Sequence, residues 1–505
     1  MSDSSRVMKN TLSLYVRMII LTGVSLFTVR INLNSLGAAD YGLYNVVAGF
    51  VSLFAFVSGS LTNASQRFFS IGIGKNDWGE VNKYFSVNFS LFLLISFVIM
   101  FIAETIGLWF VINKMVIATD RLKAAVIVYQ FSILNFCASL FVSPFLALLV
   151  ANEDLSIYSL VSIIEGLLKL LVSYFLYITT GDKLVVYGFL LLVTVVLVNS
   201  FYIIYTKTKY KQLRIFFVKD KTSYKEVFSF LNWNLIGAIA SVFKGQGINI
   251  VINLFFGTVI NAARGIAFQI NSVVSSFSAN FMKAIDPQIV KSYAKGEKER
   301  FFSITCTASK IAFCLLFIIA VPLVSNMDYV LKLWLKNVPA YTILFAKLVL
   351  IDALIMSLTD PITTAVQAIG EIKWYQIVVG GMNLMNIPIA YFLLKFMQNP
   401  FIPFFVSIGI SIVMMFSKII FLKYLARISV LHYLKKVFIP AITIVFLVGG
   451  FDYFFITGAE TFIKLVINVL IEVTIILILI IVIGFGKNER RILFSSIPFV
   501  NKYIR

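Results

Sequence analysis

The chain has 505 residues, 60% hydrophobic and 13% charged, with 43 Lys and Arg against 23 Asp and Glu and a net charge of +20. At a mean hydropathy of +0.94 it has too few polar side chains to cover a soluble surface, so it reads as an integral membrane protein. Topology and attraction to anionic lipid headgroups account for the positive charge, and nucleic acid is not an expected partner.

Crossing about 30 Å of hydrocarbon takes about 20 apolar residues at about 1.5 Å of rise each. Runs of that kind predict fourteen spans, at residues 11–32, 41–71, 85–112, 122–151, 155–179, 184–206, 227–256, 258–285, 302–325, 341–369, 372–396, 401–425, 436–455 and 461–484. The N-terminal MSDSSRVMKN is short and polar, and no small-residue cleavage site follows a compact apolar core. The first span is therefore expected to be retained rather than removed as a signal peptide. Loops on the N-terminal side carry about 27 Lys and Arg and the opposite loops about 7, which predicts that both termini are cytoplasmic. Lys207, Lys209, Lys211, Arg214, Lys219, Lys221 and Lys225, between spans six and seven, supply much of that bias.

No connection is long enough for a separate soluble domain, and a faint repeat relates the two halves. Gln66, Ser70 and Gly74 recur 222 residues later as Gln288, Ser292 and Gly296, and Pro144, Ala151 and Tyr158 recur 217 residues later as Pro361, Ala368 and Tyr375. Gly37 pairs with Gly257 in the same order. The sequence thus predicts an N-terminal lobe of six spans (1–206), a basic linker (207–226), a C-terminal lobe of six spans (227–425), and two extra helices with a tail (426–505). Six is even, so the lobes share an orientation and form a parallel repeat around a central V-shaped cavity, an arrangement suited to alternating access. A monomer is expected.

Nine basic residues fall inside spans: Arg17, Arg30, Lys169, Lys244, Arg264, Lys310, Lys347, Lys418 and Lys464. Acids there are fewer, with Glu104, Glu165, Asp352, Asp360 and Glu472 the clear cases. A base at mid-bilayer costs roughly 2.5 to 3.5 kcal/mol on the mildest scale, so the surplus has to face water, a partner or an anionic ligand.

Helical periodicity puts Asn45, Gly49, Ser52, Gly59, Asn63, Gln66 and Ser70 on one side of span two, and Asn261, Arg264, Asn271, Ser275 and Ser278 on one side of span eight. Span seven groups Asn234, Gly237, Ser241 and Lys244, and span nine Ser303, Thr307, Lys310 and Cys314. For the Gly and Ser positions close helix packing is the better explanation. For Lys244, Arg264 and Lys310 a ligand is the better explanation, because a charge loses more in a dry interface. Arg17, a third of the way into span one, is also a candidate, whereas Arg30 lies nearer the outer end, where snorkelling fits equally.

Other charges have simpler readings. Glu165 and Lys169, four residues apart, should neutralise each other, and Lys418 and Lys464, nearer helix ends, should snorkel. Asp352 and Asp360 suit either a coupling cation or proton or a counter-charge for the lysines, and Pro361 frees a helix carbonyl beside Asp360. Cys137, Cys306 and Cys314 lack any metal-site or disulfide spacing, and His432 has no evident catalytic partner, so neither metal nor cofactor is expected.

The segments NSLGAADYGLYNVVAGF at 34–50, NASQRFFS at 63–70, FFGTVINAARGIAFQI at 255–270 and DPQIVKSYAKG at 286–296 resemble the polysaccharide-transport branch of the multidrug/oligosaccharidyl-lipid/polysaccharide (MOP) exporter superfamily. The resemblance covers most of the chain up to about residue 480 and implies an all-α, polytopic fold like that of the multidrug and toxin extrusion (MATE) transporters. It also implies a flippase of the bacterial inner membrane. Such a protein moves undecaprenyl-pyrophosphate-linked oligosaccharide repeat units to the periplasmic face for O-antigen, lipopolysaccharide or capsule assembly, beside polymerase and assembly proteins.

On that reading Arg17, Arg30, Lys244, Arg264 and Lys310 would meet the pyrophosphate, where Arg offers paired donors and Lys a point charge. Asn45, Ser52, Asn63, Gln66, Asn271 and Ser275 would meet sugar, and Asp352 and Asp360 would serve coupling to Na+ or H+. In the similar lipid II flippases, arginines on the first and eighth spans line the headgroup cavity; by position these would be Arg17 or Arg30 and Arg264. The alternative within the superfamily is cation-coupled multidrug efflux, which typically uses buried acids on spans one, seven or ten. Here only span ten has them. A membrane glycosyltransferase or polysaccharide polymerase would need catalytic carboxylates or a loop domain that the sequence does not offer.

Overall fold

The computed structural model describes residues 3–152, 154–216, 218–294, 296–335, 337–369, 373–426 and 429–486. All regular elements among them are helices. They are α1 (Asp3–Ser52), α2 (Ala55–Gly74), α3 (Trp78–Ile102), α4 (Leu108–Asn113), α5 (Leu122–Ala151), α6 (Leu155–Phe175) and α7 (Lys183–Lys209) in the first part of the chain. There follow α8 (Lys221–Phe256), α9 (Thr258–Ala294), α10 (Lys298–Ser325), α11 (Met327–Trp334), α12 (Thr342–Ser357), α13 (Asp360–Ile369), α14 (Lys373–Met397), α15 (Ile402–Ala426), α16 (Val430–Tyr433), α17 (Ile439–Phe455) and α18 (Phe462–Leu479).

Among the described residues eleven helices are long and apolar enough to cross a membrane. Beyond those eleven, α2, α8 and α9 stand at the expected spans two, seven and eight. Large apolar side chains point outward: Phe97, Phe101, Phe446, Tyr453 and Phe454 are 67 to 85% exposed. Lipid, which is as apolar as these side chains, is the solvent that makes such a surface stable.

Side-chain caps fix several helix starts. Asp77 accepts from the Glu80 amide, Asp182 from the Leu184 amide, Asp220 from the Thr222 amide and Thr461 from the Lys464 amide. The expected break between spans one and two is a kink inside α1 at Gly37 (φ 77°, ψ 170°), a conformation open essentially to glycine. Span two is itself interrupted at Leu53 and Phe54, whose amides bond back only three residues.

The backbone carries the repeat more clearly than the side chains do. Gly257, 220 residues after Gly37, has nearly the same angles (φ 76°, ψ −168°) at the α8–α9 turn. The left-handed Asn76 and Gly296 are again 220 apart, as are the starts of α3 and α10. The ends of α5 and α13 differ by 218, and the starts of α7 and α15 by 219.

Packing divides the chain into two compact units, residues 1–265 with 383–403 and residues 266–382 with 404–505. Residues 227–265, placed by sequence in the C-terminal lobe, belong by packing to the first unit. There α1 and α9 approach so closely that a Cβ on Gly42 would sit 1.8 Å from the Thr258 carbonyl oxygen. The core of that unit is built on side chains such as Phe69, Phe85, Tyr129 and Phe145; that of the second on Phe313, Phe317, Tyr375, Met414 and Tyr433.

Two polar fixtures hold the first unit's loops. The linker is pinned to the start of α3. Asn82 donates to the Gln212 carbonyl and accepts from the Arg214 amide, both at 3.0 Å, and Ser86 accepts from the Phe216 amide at 3.1 Å. Lys83 pairs with Asp220 at 2.8 Å and, with the Thr222 and Ser223 hydroxyls, holds that carboxyl well below the usual carboxylate range. Where α5 begins, Arg121 grips Asp40, just beyond the Gly37 kink, at 2.9 and 2.7 Å and Asp182, the α7 cap, at 2.8 and 3.0 Å.

Candidate functional site

In the first unit the helical hairpin of α8 and α9 is stitched by amides. Asn261, fully buried, donates to both the carbonyl and the side-chain oxygen of Asn249 at 2.7 Å, and Asn249 donates to the Asn45 carbonyl at 3.1 Å. Asn253 clasps the backbone of Val116, accepting from its amide at 3.1 Å and donating to its carbonyl at 3.3 Å. Arg264 lies one turn after Asn261, 5% exposed, and its Nη2 donates to the Gly245 carbonyl at 2.5 Å.

The polar strip of span two takes part in this packing. A Cβ on Gly49 would meet Gln246 and Asn249 at 2.7 and 2.8 Å, and one on Gly265 would meet the Asn45 amide at 3.1 Å. Asn45 donates to the Tyr41 carbonyl and Ser52 to the Gly49 carbonyl, each at 2.8 Å. The structure therefore brings Asn45 and Asn261 together at Asn249, while Arg264, one turn beyond Asn261, bonds to the Gly245 carbonyl. Sequence periodicity did not identify Asn249 and Asn253, because their partners, the Asn45 and Val116 backbones and the Asn261 amide, lie on other segments.

The remaining cations are dispersed. Arg17 lies over the Tyr158 ring at 4.7 Å, a cation–π contact between α1 and α6. Arg30, Lys244 and Gln66 are partly exposed on α1, α8 and α2. The side chains of Asn63, Asn234, Gly237 and Ser241 lie outside the described residues.

In the second unit Lys310 is 8% exposed on α10. Its neighbour Ser309 lies 2.8 Å from the Tyr433 hydroxyl, which donates to the Leu358 carbonyl at 2.7 Å, two residues before Asp360. Asp360 has a half-exposed side chain 3.9 Å from Lys418. Thr364, one turn on, donates to Asp286 at 2.8 Å. Asp352 accepts from Ser407 at 3.1 Å, and Ser275 donates to Asn271 at 3.0 Å.

Lys418 corrects the sequence reading: it is 3% exposed and faces Asp360 across helices rather than snorkelling to an interface. Position along a helix said how far an interface lay, but not that an acid stood beside it. Glu165 and Lys169 do pair, at 2.6 Å. Cys306 and Cys314 are buried thiols, and His432 packs against the Phe302 ring.

No protein-family profile matches this chain, and no curated protein matches it in sequence. Solved structures do match it. An inward-facing multidrug resistance MATE family transporter of the MOP superfamily aligns over 83% of this chain and 99% of its own, with a TM-score of 0.66 and 15% identity. An outward-facing structure of such a transporter aligns over 84% and 96%, at 0.59 and 14%. A MOP superfamily transporter from Pyrococcus furiosus aligns over 83% and 96%, at 0.61 and 14%. At these identities the likeness is one of architecture: this chain has the all-helical fold of the MATE transporters of the MOP superfamily.

Proposed function

We propose that the protein is a flippase that moves an anionic lipid-linked oligosaccharide, of the undecaprenyl-pyrophosphate class, across the bacterial inner membrane by alternating access. The observation that carries this reading is the sign of the buried charge. Among the described residues, the basic side chains less than a tenth exposed are Arg264, Lys310 and Lys418, against Glu472 alone among acids. A positive interior is costly in lipid and is offset by a ligand bearing phosphates.

Arg264 and Lys310, with Arg17, Arg30 and Lys244, serve the pyrophosphate; Asn45, Ser52, Asn63, Gln66, Asn271 and Ser275 serve the sugars. Asp352 or Asp360 would take a coupling Na+ or H+. The protein works as a monomer with cytoplasmic termini and makes or breaks no covalent bond. The structure from Pyrococcus furiosus is described as having a binding pocket of reversed polarity that suggests a different function, a precedent for one fold serving charges of either sign.

Transport of fluorescent lipid-linked oligosaccharide in proteoliposomes tests the proposal. Arg264→Ala, Lys244→Ala and Lys310→Ala should each lower the rate at least about tenfold, the equivalent of about 1.4 kcal/mol. Full transport by all three folded variants would refute it. A second reading, efflux of organic cations, draws support from the MATE structures of like fold and from the half-exposed Asp360 carboxylate. Resistance to cationic dyes that Asp360→Asn abolishes would favour it instead.

A further inference from the structure

The last two helices hold a polar cluster against the end of α10, apart from every residue assigned above. Glu472, midway along α18, is 1% exposed, and neither of its carboxylate oxygens has a hydrogen-bond partner. Its electrostatic neighbours are Asp452 on α17 and Ser325, the last residue of α10. Ser325 donates to Asp452 Oδ2 at 3.2 Å, and Asp452 Oδ1 is buried without a partner.

The amides nearby are committed elsewhere. Asn468, one turn before Glu472, donates to Asn326 Oδ1 at 2.9 Å and to the Thr457 carbonyl at 3.0 Å. Asn326 also accepts from the Ala459 amide at 3.2 Å and donates to the Pro322 carbonyl at 3.0 Å. These bonds tie the α17–α18 turn to α10 and commit the Asn468 and Asn326 amides to partners other than Glu472.

Cations on the surrounding helices stand away from the pair. On α18 Lys464 lies two turns nearer the helix start, and on α10 Lys310 precedes Ser325 by fifteen residues, about 22 Å along the axis. Asp452 is the sole charged residue of α17, Lys435 and Lys436 lie before that helix begins, and Lys332 on α11 is paired with Asp328 at 2.6 Å. A carboxylate buried away from cations and amide donors is costly, and binding one proton removes its charge.

We propose that Glu472 is a proton-binding site, a buried carboxyl that holds one exchangeable proton, with Asp452 and Ser325 as its polar neighbours. In the loaded state Glu472 is a neutral carboxylic acid, and the nearby Asp452 keeps its contact with the Ser325 hydroxyl. Unloading sends the proton to water and leaves two carboxylates. Ser325 ends the helix that carries Lys310, so loading alters the charge at one end of a rigid rod whose middle holds a proposed headgroup cation. That link rests on the flippase reading; the site itself does not.

Infrared spectroscopy of the purified full chain, titrated between about pH 5 and pH 9, above the free carboxyl values of about 3.9 to 4.3, tests the site. Wild type should show a protonated-carboxyl C=O band at neutral pH that Glu472→Gln removes and Asp452→Asn shifts. Identical neutral spectra for wild type and Glu472→Gln would overturn the proposal, as would loss of the band on adding sodium at fixed pH, which would mark a metal-cation site. Should Glu472→Gln not fold, an unshifted band in Asp452→Asn overturns it equally. In proteoliposomes, stimulation of transport by an imposed proton gradient should fall at least tenfold in Glu472→Gln. A normal band in a protein that moves no lipid-linked oligosaccharide would reject the flippase reading and leave the proton site standing.

Discussion

Replacing Arg121 by alanine removes one guanidinium that makes four donations, two to Asp40 and two to Asp182. The three side chains are 28, 21 and 35% exposed, so solvent screens the contacts only in part. An exposed ion pair contributes about 0 to 1 kcal/mol, and a paired-donor geometry raises the upper end. Two such pairs, plus the repulsion left between Asp40 and Asp182, put the loss at about 2 to 3 kcal/mol. Arg121→Lys should recover less than half, because an ammonium cannot present two parallel forks.

The pH dependence follows from Asp182. Burial pushes its carboxyl up, but the Arg121 guanidinium and the Val185 and Leu184 amides outweigh this and hold it below the usual carboxylate range. A folded-state value below the unfolded one, about 3.9, means stability that is present above that pH and lost as the pH falls through the folded value. Thermal unfolding in detergent should thus show a wild-type advantage over Arg121→Ala that is full at neutral pH and shrinks below about pH 4. An advantage of the same size at both ends of that range would refute the clamp.

Other consequences are as direct. Gly37→Ala and Gly257→Ala should each destabilise by about 1 to 3 kcal/mol, since both backbones occupy a region closed to other residues. Gly59→Ala, with open space where its Cβ would go, should instead stabilise by about 0.5 to 1 kcal/mol; apparent melting temperatures that fall in all three would contradict this. Asn82→Ala removes two of the three hydrogen bonds described between the linker and α3, and limited trypsin digestion should then cut faster after Lys211 and Arg214. Unchanged cleavage kinetics would mean that Lys83–Asp220 and Ser86 suffice.

The candidate site was legible only in part. Residue type identified Arg264 and Lys310 as buried cations, because a base inside an apolar run has few inexpensive places to go. Spacing along one helix also identified Glu165 with Lys169, since a helix fixes neighbours at i and i+4 by its own geometry. The same logic failed for Lys418, whose carboxylate at Asp360 is 58 residues away, and for Asn253, whose partner is a backbone segment on another loop.

The sequence by itself determined the solvent and the elements. Unbroken apolar runs require lipid, lipid requires closed backbone hydrogen bonding, and helices supply it within each segment. It also determined where the chain bends, because Gly37 and Gly257 at equivalent places permit angles that other residues resist. Only the tertiary structure decided which faces meet. Gly42 and Gly49 turn out to be points of helix contact, Asn45 and Asn261 converge on Asn249, and Glu472 is buried with neither carboxylate oxygen hydrogen-bonded. Periodicity gives the direction of a side chain around its own axis, whereas a partner depends on the crossing of two axes, which no single segment encodes.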